Sequence, residues 1–113
     1  MNLIFHAPQI VFLTMVAAGV AVLATKHGEE RQDSYNGATT FVAVLLLNGI
    51  YFWGDFYKVV GVPQILMLVW GAFTTAYEMA RHGEIKTGRY NLLYSLFMEA
   101  IVVSLLFWGG FFG

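Results

Sequence analysis

The chain has 113 residues, of which 58% are hydrophobic, 17% aromatic and only 12% charged, with a net charge of -1. Soluble domains carry about 25% charged residues, so this composition predicts an integral membrane protein and argues against nucleic acid as a partner. The sequence contains no cysteine, which excludes disulfides and thiolate metal sites.

The charged residues are clustered, and the apolar runs between them have the length of membrane-crossing helices. A hydrocarbon core of about 30 Å requires roughly 17 to 25 residues of helix. The apolar residues do not alternate with polar ones, as strands of a membrane barrel require. The sequence therefore predicts an all-α membrane protein with four transmembrane helices at about 8–26, 37–56, 63–81 and 91–109.

Small residues recur every four positions in the first and third predicted helices. They are Ala17, Ala21 and Thr25 in the first helix and Ala72, Ala76 and Ala80 in the third. Such stripes let helix backbones approach closely in lipid. We expect either that the first and third helices meet along these stripes, near a pseudo-two-fold axis along the membrane normal, or that each stripe faces its own hairpin partner.

A polar motif follows each of these helices at the same distance. Its members are His27, Gly28, Glu29, Tyr35 and Asn36 in the first copy and His82, Gly83, Glu84, Tyr90 and Asn91 in the second. Aligned with itself at an offset of 55, the chain has 15 identities over 58 positions, where chance gives roughly three or four. We infer a tandem duplication of one helical hairpin, with repeats at 1–58 and 59–113.

The motif residues fit a helical turn better than a metal site. Glycine is common after a helix end and asparagine is a good N-cap, which suits Gly28 and Asn36 and their counterparts. His27 and His82 could share an ion with Glu29 and Glu84, but the spacing lacks an H-x-x-x-H motif. We expect no metal and no cofactor.

The basic residues predict the orientation in the membrane. Lys58 lies on one side, and five residues lie around the two motif loops: Lys26, Arg31, Arg81, Lys86 and Arg89. The positive-inside tendency places both loops in the cytoplasm and both termini outside. The second and fourth helices end in aromatic clusters, which we expect at the outer membrane–water boundary.

Glu99 lies near the middle of the fourth predicted helix, and its counterpart in the first repeat is Val44. Ionisable groups at this depth usually face a bundle interior, a pore or a partner. We expect Glu99 to be protonated, or hydrogen-bonded to Asn48, to Thr74 or Thr75, or to a neighbouring subunit. A structural hydrogen bond is favoured over a proton-coupled site. With neither a nucleophile elbow nor a phosphate loop, the chain is not expected to be an enzyme.

Several short motifs resemble a family of very small membrane proteins encoded by bacteriophages and prophages. They are Ala-Pro-Gln-Ile at 7–10, Lys-His-Gly-Glu at 26–29, Val-Pro-Gln-Ile at 62–65, Arg-His-Gly-Glu at 81–84, Thr-Gly-Arg-Tyr-Asn at 87–91 and Leu-Phe-Trp-Gly-Gly-Phe-Phe at 106–112. Members are commonly one hairpin long, so this chain is a tandem version. It departs at Asp55 and at 32–34. The resemblance implies the bacterial inner membrane and carries no established activity.

Three functional hypotheses follow. The first is a small phage protein that acts by assembly in the bilayer, in a holin-like permeabilisation. The second is superinfection exclusion, or an accessory role on a partner complex. The third is a proton-coupled carrier like the small multidrug resistance transporters, although their acidic residue lies in the first span and Glu99 lies in the last. The expected partners are the lipid bilayer and either further copies of the chain or another membrane protein.

Overall fold

The computed structural model describes residues 3–31 and 33–113. Within these ranges the chain forms α1 (Ala7–Lys26), α2 (Gly37–Trp53), α3 (Val62–Ala80) and α4 (Leu92–Trp108), with a short 3₁₀ turn at Phe56–Lys58. This confirms the predicted all-α class. Each helix agrees with a predicted apolar segment to within three residues at either end.

The helix ends follow from local chemistry. The prolines of α1 and α3 lie in the first turn, where a missing N–H has no intrahelical partner. Asn36 Oδ1 accepts a hydrogen bond from the N–H of Thr39 at 3.0 Å, and Asn91 Oδ1 does the same for Tyr94 at 3.1 Å. Both asparagines are therefore N-caps, as predicted. Gly28 adopts a left-handed φ of 83° after α1, as expected of a glycine at a helix end.

Each helix packs on its two neighbours in the order α1, α2, α3, α4 and back to α1, and the α2–α3 contact is the most extensive. Glycines explain that contact. A Cβ added at Gly37 would lie 2.7 Å from the Cα of Met79, and one added at Gly71 would lie 2.9 Å from Cγ1 of Val44. The two backbones therefore meet through these glycines.

The predicted packing of the small-residue stripes is wrong. All six residues are exposed: Ala17, Ala21, Thr25, Ala72, Ala76 and Ala80. The stripes therefore join neither α1 to α3 nor each helix to its hairpin partner. The close approach between helices uses Gly37 and Gly71 instead, because a missing Cβ brings backbones closer than alanine does.

The fully buried core lies at the end of the bundle where α2 and α4 finish. Its apolar members are Phe12, Tyr51, Phe56, Met67, Leu106, Phe111 and Phe112. The rings pack edge to face, with centroids 5.6 Å apart for Phe12 and Tyr51 and 5.9 Å for Phe12 and Phe111. The aromatic residues at the ends of α2 and α4 therefore have two different environments. Trp53 and Trp108 are exposed, whereas Phe56 and Phe111 belong to the buried core.

The outer surface of the helices is apolar. Large side chains are exposed on every helix, including Val22, Leu46, Phe73 and Leu93. By length and composition, the 20-residue α1 can cross a membrane, whereas α2 and α4 are apolar helices of 17 residues. The longest dimension of the molecule is 42 Å.

The two motif loops pair with each other at the opposite end of the bundle from the core. Tyr35 N donates to the carbonyl of Glu84 at 2.8 Å, and Tyr90 N donates to that of Glu29 at 2.9 Å. Antiparallel bridges join Glu30 to Arg89 and Ser34 to Ile85. Counterparts in these pairs are 55 positions apart in the sequence. Every one of these bonds connects residues 1–58 with residues 59–113.

Candidate functional site

A cavity of about 800 Å³ lies between the four helices, and the buried aromatic core adjoins it at one end. Each helix contributes lining residues: Val16 from α1, Asn48 from α2, Gly71 from α3 and Glu99 from α4. Arg31 and Lys86 of the paired loops line it at the other end. The cavity therefore runs between an apolar closed end and a charged loop end.

The charges at the loop end are matched. Lys86 Nζ lies 3.4 Å from Asp33 Oδ2 and 3.5 Å from Glu78 Oε1, and Arg31 Nε lies 3.4 Å from Asp33 Oδ1. Burial raises the pKa of Asp33, but the hydrogen bond and charge of Arg31 and the charge of Lys86 outweigh it, so that the pKa lies below its usual value. Asp33 is therefore ionised at neutral pH, and the four side chains carry no net charge together.

The Glu99 side chain lines the cavity and is half-buried. Within the described ranges it makes no hydrogen bond or ion pair with another residue of the chain, and the predicted bond to Asn48 is wrong. Asn48 Nδ2 donates to the carbonyl of Val44 at 2.9 Å, and Asn48 Oδ1 accepts from the Tyr57 hydroxyl. The amide thus has partners on its own helix and on the following turn.

Within the described ranges, the threonines predicted as alternative partners, Thr74 and Thr75, make no hydrogen bond with Glu99 either. Thr74 Oγ1 donates to the carbonyl of Trp70 at 2.8 Å, one turn earlier on α3. Burial raises the pKa of Tyr57 to about 12, so the hydroxyl keeps its proton for Asn48. The carboxyl of Glu99 is therefore free to accept a proton, to accept a hydrogen bond or to hold a cation that enters the cavity.

The two motif histidines lie at helix N-termini rather than at a metal site. His82 Nδ1 accepts from the N–H of Gly37 at 3.1 Å, and His27 Nδ1 accepts from that of Leu92 at 3.0 Å. Among the described residues no three side chains of the metal-binding types come together. The shared site with Glu29 and Glu84 is not formed, because each imidazole serves a different helix.

Two buried glutamines, Gln9 and Gln64, were not predicted from the sequence. Gln64 Nε2 donates to the carbonyls of Phe56 at 3.0 Å and Gly109 at 3.1 Å, and Gln9 Nε2 donates to that of Phe111 at 2.8 Å. Gln64 thereby links the start of α3 to the turns that follow α2 and α4, and Gln9 links the start of α1 to the turn that follows α4. The signal available in the sequence was the segment Pro-Gln-Ile, which occurs at 8–10 and again at 63–65.

No protein-family model, no curated protein and no solved structure matches this chain.

Proposed function

We propose that this chain is a bacteriophage-encoded protein of the bacterial inner membrane that acts by assembling with further copies of itself and permeabilising the bilayer, like a holin. The observation that carries the proposal is the outward-facing apolar surface. Val22, Leu46, Phe73 and Leu93 are 58%, 61%, 71% and 75% exposed, one on each helix. Contiguous apolar surface of this kind fits lipid or a protein partner, not water.

All four helices are placed across the bilayer in this proposal. A 17-residue helix is about 25 Å long, somewhat less than a hydrocarbon core of about 30 Å, a mismatch that local thinning accommodates. The molecule's length of 42 Å matches a bilayer of about 40 to 45 Å with its headgroups. The exposed Trp53 and Trp108 at one end suit a membrane–water boundary.

The surfaces available for self-assembly are the outer faces of the helices. The small-residue stripes of α1 and α3 are exposed, so they can face a second copy. The outer face of α4 has a shallow groove formed by Phe97, Ala100, Ile101, Ser104, Leu105 and Trp108. Small side chains between larger ones favour close helix contact in lipid, where apolar area alone gives no advantage.

Controlled expression in a bacterium tests the proposal. We expect membrane potential, followed with a voltage-sensitive dye, to collapse once the protein passes a threshold abundance. Ala72→Leu combined with Ala76→Leu should weaken cross-linked oligomers and delay the collapse. Val42→Leu, an exposed change on α2 away from both stripes, is the matched control and should behave as wild type.

Persistent membrane potential and viability at high membrane abundance would overturn the lesion proposal. If such intact cells also resisted related phages, the superinfection-exclusion hypothesis would take its place.

A further inference from the structure

We propose that the cavity between the four helices is a binding site for a lipophilic organic cation, with the Glu99 carboxylate as its counter-charge. The inference goes beyond self-assembly and does not depend on it, because the cavity is formed within a single chain. It rests on the size of the cavity, the character of its walls, its charge and its opening.

The size fits a small ligand. The volume of about 800 Å³ lies within the roughly 300 to 1,000 Å³ typical of small-molecule sites. The cavity is partly open to the outside, so it is a cleft with room for a small organic ligand rather than a sealed void.

The walls suit a cation with an apolar body. The aromatic lining residues are Phe12, Tyr35, Tyr51, Trp70, Phe73, Tyr77 and Tyr94. The face of an aromatic ring attracts a cation within about 6 Å, most strongly where water is excluded, and aromatic cages bind quaternary ammonium groups in this way. A contact between a cation and an aromatic ring is already present within the chain, where Lys86 Nζ lies 5.2 Å from the centre of the Tyr35 ring.

The charged side chains of the cavity favour a positively charged ligand over a negatively charged one. Arg31 and Lys86 are matched by Asp33 and Glu78 at the loop end. Glu99 is the acid that this pairing leaves over, and within the described ranges it has no ion-pair partner. One cation entering the cavity would complete the balance, whereas an anion would meet an unmatched carboxylate.

The opening indicates the route of entry. Phe73 of α3 and Tyr94 of α4 line the cavity and are also mostly exposed. Side chains with both properties mark an opening between these two helices, on the outer side of the bundle. With the helices in a bilayer this opening faces lipid, so the ligand must be soluble in the membrane as well as positively charged.

Isothermal titration of the purified full chain in detergent, with two ions of matched size and opposite charge, tests the proposal. We expect tetraphenylphosphonium to bind one per chain and tetraphenylborate not to bind. Glu99→Gln should weaken tetraphenylphosphonium binding by at least about tenfold, while Glu99→Asp should retain most of it. Glu84→Gln changes an exposed loop acid and is the matched control, with wild-type binding expected.

A second variant covers the case in which Glu99→Gln does not fold. Met98→Trp keeps the carboxyl but fills the cavity that Met98 lines, and it should also abolish binding. Equal binding of the two ions would overturn the proposal, as would wild-type affinity in folded Glu99→Gln or in Met98→Trp. Because binding is measured on purified protein, its failure is distinct from a failure to permeabilise cells.

Discussion

His82 Nδ1 accepts a hydrogen bond from the backbone N–H of Gly37, 45 residues earlier in the chain. The first residue of α2 is thus capped by a side chain that follows α3. His27 does the same for Leu92 at the start of α4. An imidazole accepts a hydrogen bond only through an unprotonated ring nitrogen, so in this position each histidine is an acceptor at Nδ1. Each half of the chain thus caps a helix of the other half.

Replacing either histidine by alanine should destabilise the fold. His82→Ala and His27→Ala each leave one N–H at a helix start without its side-chain partner, and losing a cap costs about 1 kcal/mol. His6→Ala is the control, because His6 precedes α1 without a side-chain capping bond. Thermal unfolding in detergent measures the difference. Unchanged stability in both cap variants would contradict a stabilising role for these bonds.

The two buried glutamines should contribute unequally. Gln64 makes three bonds, since its Oε1 also accepts from Gly61 N at 2.9 Å. Among the described residues, Gln9 makes one bond and its buried Oε1 has no partner. We expect Gln64→Leu to cost about 2 to 3 kcal/mol and Gln9→Leu about 1 kcal/mol or less. Chemical unfolding in micelles measures both. A larger loss for Gln9→Leu would contradict this ranking.

Two glycines of α2 should respond oppositely to alanine. Gly37→Ala places a Cβ against the α3 backbone at Met79, and overpacking of this kind costs about 1 to 3 kcal/mol. Gly49→Ala meets no atom within 4 Å and should stabilise the helix by about 0.5 to 1 kcal/mol. The melting temperatures of the two variants check this. Destabilisation by Gly49→Ala would show that its outer face is packed on something.

The proposed orientation in the membrane can be tested with single cysteines, because the chain has none. In bacteria, Val59→Cys should react with an impermeant maleimide in intact cells, and Thr87→Cys should react only after permeabilisation. Expression must stay below the level at which membrane potential is lost, since a leak would admit the reagent. The reverse labelling pattern would invert the topology predicted from the basic residues.

Helix positions could be predicted from the sequence because their signals are local. Each apolar run lies within a single helix. The prolines and the capping residues Asn36 and Asn91 act within one turn of a helix end. The neighbours of each helix could not be predicted in the same way. In a helix that is apolar on every side, periodicity does not show which face points inward. The stripe around Ala17 and Ala21 faces outward, whereas its small residues predicted a contact between helices.

The candidate site was only partly predictable for a related reason. An acidic side chain in an apolar helix has a high free-energy cost of burial. This cost alone indicates Glu99 as a candidate functional residue. Which side chains can hydrogen-bond to Glu99 depends on whether other groups in the folded chain already occupy them. Asn48 bonds to Tyr57, which belongs to the turn after α2. No sequence spacing indicates that this turn folds back far enough to occupy the amide.

The hydrogen bond between Gln9 and Phe111 joins residues that are 102 positions apart in the sequence. It can therefore form only after translation has reached Phe111. At about 5 to 20 residues per second, a ribosome needs about 5 to 20 s to travel from one to the other. For that interval the amide of Gln9 depends on other hydrogen-bond partners, such as water. The closed aromatic end is thus among the latest parts of the bundle to form, and until then α1 is held by its neighbours only in part.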